Sequence, residues 1–417
     1  MRILITNYYL INYAGSEINT LELCLALRNL GIQTDVATFF YGSPMKEHFE
    51  KNGIKVLQLF NDNLNLKNYD LLWTHHNFTL DHLIFGGFLL SEAKIIFSSL
   101  GSFEPLEAPP YYHNELNIIL SNSGGNTCEL VKQGVERNKI INFPNCAPTD
   151  YFNIITKNLP ENLKKIAIIS NHIPEELQEF SSLAGSASFC VEHIGLGGIA
   201  KLVDANLLTE YDLVISIGKT VQYCLALRIP VYCYDHFGGP GYLHQDNIES
   251  AAYFNFSGRG INRKLTGKEL FNDIITNFEK SCGNIDFLFR YAYENFNLEK
   301  NVNKILRLVN SSNAISLSQI KNKYSLVDRR HQGFLREQER IKDLYSQLNN
   351  TQKDNIRIQQ TVERLSEEKA GLRLEIERLR EDNIDLRQEV MSYASSKSWR
   401  YTRPFRKVMK LIRGIKG

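Results

Sequence analysis

Three groups of residues in the chain combine types and spacing that could do chemistry. The first is Gly218-Lys219-Thr220, which follows an apolar, strand-like run and opens a helical pattern. A helix start offers unpaired backbone N–H groups and the lysine adds a cation, so the segment suits an anion such as a diphosphate. It is not a Walker A loop, because Leu213 stands where the first glycine would be. Asp235-His236-Phe237-Gly238-Gly239-Pro240-Gly241 follows the next strand-like run, and its glycines would let a ligand approach the backbone closely. Arg259 is a second cation for the same charge. The third group could remove a proton. His75 and His76 end an apolar run, and Glu104 and Glu107 lie in the proline-rich loop Glu104-Pro105-Leu106-Glu107-Ala108-Pro109-Pro110. Histidines are scattered and no HxxxH or paired-aspartate motif ends a strand, so no metal site is expected.

The elements that must position these groups follow from hydrophobic pattern. Short apolar runs at 2–6, 34–40, 55–60, 70–74, 94–99, 118–121 and 139–143 alternate with helical stretches. The pattern restarts after Pro160, with runs at 165–170, 190–194, 212–217 and 230–234. Strands alternating with helices predict parallel sheets covered on both faces, hence two Rossmann-like halves. Such sheets bind ligands at the carboxyl ends of their strands, and both halves would aim those ends at one cleft. The expected domains are 1–155, 156–312 (ending in helices over 284–312), a polar linker over 313–333, a coiled coil over 334–393 and a tail over 394–417.

From Ile341 the sequence runs in heptads. Ile341, Leu348, Asn355, Val362, Lys369, Ile376, Asn383 and Val390 fall at a, and Leu344, Thr351, Ile358, Leu365, Leu372, Leu379 and Leu386 at d. Leucine at d with a few polar a residues predicts a parallel two-stranded coil. Glu368, Glu375 and Asp382 at g each precede by five residues an arginine at e, namely Arg373, Arg380 and Arg387. In a parallel homodimer those charges face each other. Residues 341–390 would form a rod of about 75 Å at 1.5 Å per residue.

The 417 residues carry a net charge of +2, which hides an asymmetry. Eight basic residues and no acid follow Glu389, so the remainder of the chain is net acidic. That argues against a nucleic-acid-binding core. In the tail, Phe405, Val408, Met409 and Ile412 share one helical face, with Arg403, Arg406, Lys407, Lys410 and Arg413 around it. Thr402 suits an N-cap and Pro404 a first turn. A basic amphipathic helix rimmed by Trp399 predicts contact with an anionic membrane surface. No apolar run is long enough to span a bilayer and no signal peptide is visible, so the expected location is cytoplasmic and peripheral on the inner face of the cell membrane. Seven dispersed cysteines with no CxxC are expected to be free thiols, mostly buried.

The first half also resembles the acceptor domain of GT-B glycosyltransferases, especially those of bacterial surface polysaccharide (O-antigen or capsule) biosynthesis. The matching stretches are Ala14-Gly15-Ser16-Glu17, Tyr69 to His75, and Leu120-Ser121-Asn122-Ser123 through Gly134-Val135 to Asn142-Phe143-Pro144-Asn145. Tyr211 to Ser216, Ala226 to Val231 and Phe237-Gly238-Gly239 are similar to the donor domain. The resemblance covers about residues 1–310. It implies a metal-independent hexosyl- or deoxyhexosyltransferase without a cofactor, acting from a nucleotide diphosphate sugar onto a lipid-linked saccharide. Gly15, Ser16 and Glu17 would then form an acceptor-side loop, and Asn171 and His172 would stand where the family's Arg and Lys grip the donor diphosphate. Retaining members carry two glutamates eight apart, which would fall on Ile215 and Tyr223 here, and a histidine that would fall near Leu100. These departures leave a second reading, a catalytically inactive GT-B scaffold that binds sugar nucleotide or glycan and organises a partner polysaccharide-assembly enzyme. A sugar-nucleotide epimerase is a third, disfavoured by the membrane tail.

Overall fold

The computed structural model describes residues 1–101, 104–154, 162–199, 201–261 and 263–414. They fall into two compact units, Met1–Gly333 and Phe334–Gly417. The first unit holds two sheets. Strands β1 (Arg2–Leu10), β2 (Gln33–Tyr41), β3 (Val56–Gln58), β4 (Leu71–His75), β5 (Glu92–Ser99), β6 (Ile118–Ser121) and β7 (Ile140–Asn142) pair in parallel in the order 3-2-1-4-5-6-7. The centre of β1 is apolar on both faces, and Ile3, Leu4 and Ile5 are fully buried. That is what helices packed on both faces of a parallel sheet require.

The second sheet contains β8 (Lys165–Ile169), β9 (Cys190–Ile194), β10 (Leu213–Ser216), β11 (Val231–Asp235) and β12 (Gly238–Tyr242), in the order 12-11-10-8-9. All pairs are parallel except β11 with β12. In both sheets the strand order reverses beside the first strand. The switch lies between β1 and β4 in the first sheet and between β8 and β10 in the second. Loops leaving neighbouring strands in opposite directions open a crevice there.

Two expectations are corrected. The helix Leu298–Asn310 does not finish the second half. Its stripe of Leu298, Val302, Ile305, Leu306 and Val309 joins the first half's core, with Leu23, Cys24 and Leu27 of the helix Gly15–Asn29. Helical periodicity shows that such a stripe must be buried but not against which sheet. The expected polar linker over 313–333 is ordered structure. Strand β13 (Ile315–Ser316) pairs antiparallel with β5, and the helix Leu317–Lys323 buries Leu317 and Ile320. A long helix, Ser325–Ser395, then begins with Val327 and His331 buried. Within the first unit His331 Nε2 lies 3.0 Å from His82 Nδ1, whose ring also reaches the Leu59 carbonyl. Only a few apolar residues interrupt the polar run, so the stretch reads as a linker until its partners are in place.

In the second unit the long helix carries the heptads. Leu344, Leu365, Leu372, Leu379 and Leu386 each leave more than half their surface exposed. The helices Lys397–Tyr401 and Arg403–Gly414 follow, and Phe405, Val408 and Met409 are exposed. The Trp399 and Ile412 side chains and residues 415–417 lie outside the described residues, as do residues 155–161 at the expected boundary of the two halves. No described helix is long and apolar enough to cross a membrane. All seven cysteines are free; Cys24, Cys146, Cys224 and Cys233 are buried, while Cys128 and Cys190 are exposed.

Candidate functional site

The four switch-point strands carry most of the residues singled out in the sequence. After β1 the chain turns into the helix Gly15–Asn29, and Glu17 builds that turn. Its Oε1 accepts the N–H groups of Ile11 and Asn12 at 2.8 and 3.0 Å, and its Oε2 accepts that of Ala14 at 3.0 Å. Burial pushes this carboxyl up, against the pull of the three donors. Glu17 is therefore a framework residue, not a ligand-facing one. The Ser16 carbonyl is likewise taken, by Asn7 and Thr20. Gly15 faces open space, where a Cβ would meet nothing.

His75 ends β4 and is buried. Its Nδ1 lies 3.2 Å from Thr20 Oγ1, whose own proton goes to the Ser16 carbonyl. The ring therefore donates from Nδ1 and keeps its lone pair on Nε2. Burial first, then His76 and Lys219, lower its pKa to about 3. His76, at φ 66°, accepts the Tyr8 N–H on Nδ1 at 3.1 Å, and burial lowers its pKa to about 4. Both rings stay neutral near pH 7 and resist the charge that proton abstraction would leave on them. Neutral and weakly basic, they are less suited to proton abstraction than a group poised near pH 7.

Glu107 behaves differently. It ends the helical turn Pro105–Glu107 after β5, and burial, then Glu104, raise its pKa to about 7. A Cβ on Gly101 would come 2.6 Å from its Oε2, so the carboxyl lies against the start of its own loop. Asn77 Nδ2 clasps that loop, donating to the carbonyls of Pro105 and Ala108 at 2.8 and 3.0 Å. Asn122 donates to the Leu100 carbonyl. A carboxyl poised near neutrality is suited to general-base work. Ser102 and Phe103 of this loop lie outside the described residues.

On the second sheet, Ser170 Oγ donates to Asp235 Oδ2 at 2.9 Å and accepts the His172 N–H at 3.0 Å, tying the ends of β8 and β11. Asp235 Oδ1 accepts the His236 N–H at 2.8 Å, and the His172 and His236 rings meet edge to face at 6.4 Å. Asn171 Oδ1 accepts the Leu196 N–H at 3.1 Å, and His193 Nε2 lies 2.8 Å from the Ser170 carbonyl. Sequence reasoning missed the Gly195–Gly198 turn that these bonds hold. Gly195 sits at φ 134°, where a Cβ would come 2.2 Å from the Ser170 carbonyl oxygen. Three glycines in four residues after β9 were the available signal.

Gly238 and Gly239 are required by close backbone packing. They start β12, and added Cβ atoms would meet the carbonyl oxygens of Arg263 and Cys233 at 2.3 and 2.0 Å. The Arg259 guanidinium carbon lies 4.4 Å from the ring centre of Phe237, beside His236.

Gly218, at φ 61°, turns β10 into the helix Lys219–Ala226, and Thr220 follows in its first turn. Lys219 does not end in solvent. Its Nζ is 2.5 Å from Glu22 Oε2 and also bonds Asn19, both on the helix Gly15–Asn29 of the first half. Tyr223 donates its hydroxyl to Glu22 as well. Glu22 was not signalled, since its partners lie about 200 residues away. A cavity of about 30 Å³ beside Lys219 is also lined by His75, Ser99 and Asn122, so the two switch points meet.

No family model and no curated protein matches the sequence. Solved structures do match its fold. HepE of Anabaena, crystallised with UDP, superposes with a TM-score of 0.53 at 13% identity, covering 75% of this chain and all of that one. Its UDP-glucose complex gives 0.51 over the same shares, also at 13%. A Rickettsia africae glycosyltransferase gives 0.49 at 14% identity, over 74% of this chain and 97% of that one. The HepE likeness is one of fold, consistent with a GT-B arrangement of two Rossmann-like halves.

Proposed function

We propose that the chain transfers a glycosyl group from a nucleotide diphosphate sugar to a saccharide acceptor. The observation that carries this reading is the meeting of the two switch points at Lys219, Glu22 and His75, next to the loop that holds Glu107. HepE, which shares the fold, was crystallised with UDP and UDP-glucose. In the proposed step the Glu107 carboxylate takes the proton of the acceptor hydroxyl. The hydroxyl oxygen bonds to the anomeric carbon, and the bond from that carbon to the diphosphate oxygen breaks, its electron pair leaving on the diphosphate. Backbone N–H groups at Lys219 and Thr220 meet that charge, with Lys219 exchanging Glu22 for phosphate. Asn171, His172, Asp235, His236 and Arg259 border the donor, and Gly15 leaves room beside it. No metal or cofactor takes part in this scheme. The heptads and basic tail fit a homodimer working on lipid-linked acceptors in surface polysaccharide assembly, at the cytoplasmic face of the membrane.

A second reading has observations of its own. The family's two glutamate positions are occupied by buried Ile215 and Tyr223, His75 and His76 are held neutral, and Lys219 already has a carboxylate partner. These suit a catalytically inactive subunit that binds sugar nucleotide or glycan beside a partner enzyme. Calorimetry with UDP-, GDP- and dTDP-sugars, then nucleotide release with a lipid-linked acceptor, separates the two. Transfer lost in Glu107→Gln with donor affinity kept supports catalysis; donor binding without transfer by the unaltered chain supports the scaffold.

A further inference from the structure

A second, larger cavity lies away from the donor edge. It measures about 960 Å³ and runs between the carboxyl ends of β6 and β7, the helix Ile248–Tyr253 and the helix Leu298–Asn310. That volume is at the upper end for small-ligand pockets. Its walls mix polar side chains with apolar and aromatic ones such as Pro144, Tyr291 and Leu308. Asn142 and Asn303 line it and make no side-chain hydrogen bond among the described residues, so their amides are available to a ligand. Tyr253 and Tyr291 supply ring surface, and Tyr253 is 45% exposed.

The charge in the groove is sparse. Lys304 and Arg307 lie one turn apart on the face of the helix 298–310 opposite its buried stripe. Neither takes part in an ion pair among the described residues, whereas Lys300 lies 3.2 Å from Glu294. Glu249 on the same wall has no ion-pair partner among the described residues and would repel dense negative charge, while Glu294 is offset by Lys300. Amides that bond paired hydroxyls, rings that cover apolar sugar faces and two spaced cations select a ligand of many hydroxyls and few negative charges.

We propose that this groove binds an acidic oligosaccharide, one carrying a carboxylate on its sugar units. Its role as acceptor subsite rests on the glycosyl-transfer reading; the binding itself does not. Asn122 connects the two places. It lines both this groove and the small cavity beside Lys219, and its amide holds the Leu100 carbonyl at the root of the Glu107 loop. A saccharide in the groove therefore lies along the edge of the first sheet that carries the proposed base.

The test uses the full chain, tetragalacturonate and maltotetraose as probes in saturation-transfer NMR titrations, and UDP-glucose in calorimetry. Tetragalacturonate should bind, and more tightly than maltotetraose. The double variant Lys304→Ala, Arg307→Ala should weaken it about tenfold, the scale of a lost charged hydrogen bond. Both positions are exposed, so the fold should survive, and Lys268→Ala on a remote helix is the control. UDP-glucose affinity should be the same in all variants. Failure of tetragalacturonate to bind at millimolar concentration, binding indifferent to the double variant, or equal affinity for maltotetraose would each overturn the proposal. Failure of UDP-glucose alone would count against a UDP-linked donor and leave the groove standing.

Discussion

At the scale of single residues, burial decides which titratable groups can act. Glu107 has its pKa raised to about 7, so its base form appears only as pH rises through that value. Transfer should therefore be lost below about pH 7 with one titrating group, and Glu107→Gln should abolish the profile along with at least a hundredfold of rate. The same shift has a stability consequence. A carboxyl whose folded pKa exceeds its unfolded value supports the fold fully below about 4.5, and that support is lost as pH rises through 7. Thermal melts of Glu107→Gln should show a shallower loss of stability across that window. Lys219 makes the opposite case, because its partner would be left behind. Glu22 and Lys219 side chains are only 10% and 13% exposed. Lys219→Ala should destabilise the fold by about 3 kcal/mol, as breaking a buried pair does. Urea titration checks it, and a change under about 1 kcal/mol would show the pair to be solvated.

At the scale of elements, the proposed donor edge depends on close approach between β8 and the turn after β9. Gly195→Ala forces a Cβ against the Ser170 carbonyl and a residue with a side chain into φ 134°. It should lower the melting temperature and weaken nucleotide-sugar binding together, because Ser170 and Asn171 anchor that edge. Gly185→Ala, in the helix Glu175–Ser186 with nothing within 4 Å of the new Cβ, should be neutral or stabilise by up to about 1 kcal/mol. If both variants melt alike, the turn is not a structural constraint. Most strands were legible because apolar runs four to eight residues long between turn residues have few other fates. Strand β12 was not, since Gly238, Gly239, Pro240 and Gly241 read as a loop and pair only because β11 lies beside them.

At the scale of the whole molecule, the long helix leaves its heptad leucines exposed, and the g and e charges match a parallel second copy. Removing residues 334–417 should turn a dimer into a monomer in sedimentation velocity while sugar-nucleotide affinity stays constant. A dimer that survives the cut would place the interface elsewhere. The full chain should sediment with anionic vesicles and release with salt, whereas a chain cut at Ser395 should not. Two tails joined by the coil act at high effective concentration, so the dimer should bind far better than the monomer. Equal vesicle binding by the cut and uncut chains would assign the tail to a protein surface.

The sequence by itself determined the two alternating α/β halves, the switch into heptads, and Gly218-Lys219-Thr220 between a strand and a helix. Each of these is written in local spacing, which a single segment carries whether or not the rest is folded. The tertiary structure alone decided that Lys219 ends on Glu22, that His75 and His76 are neutral, that Glu107 is poised near pH 7, and that the helix 298–310 returns to the first core. It also made the groove, whose walls come from Asn122, Asn142, Tyr253 and Lys304. Pairing, desolvation and cavity shape depend on residues distant in sequence, and no local pattern records which of them will meet.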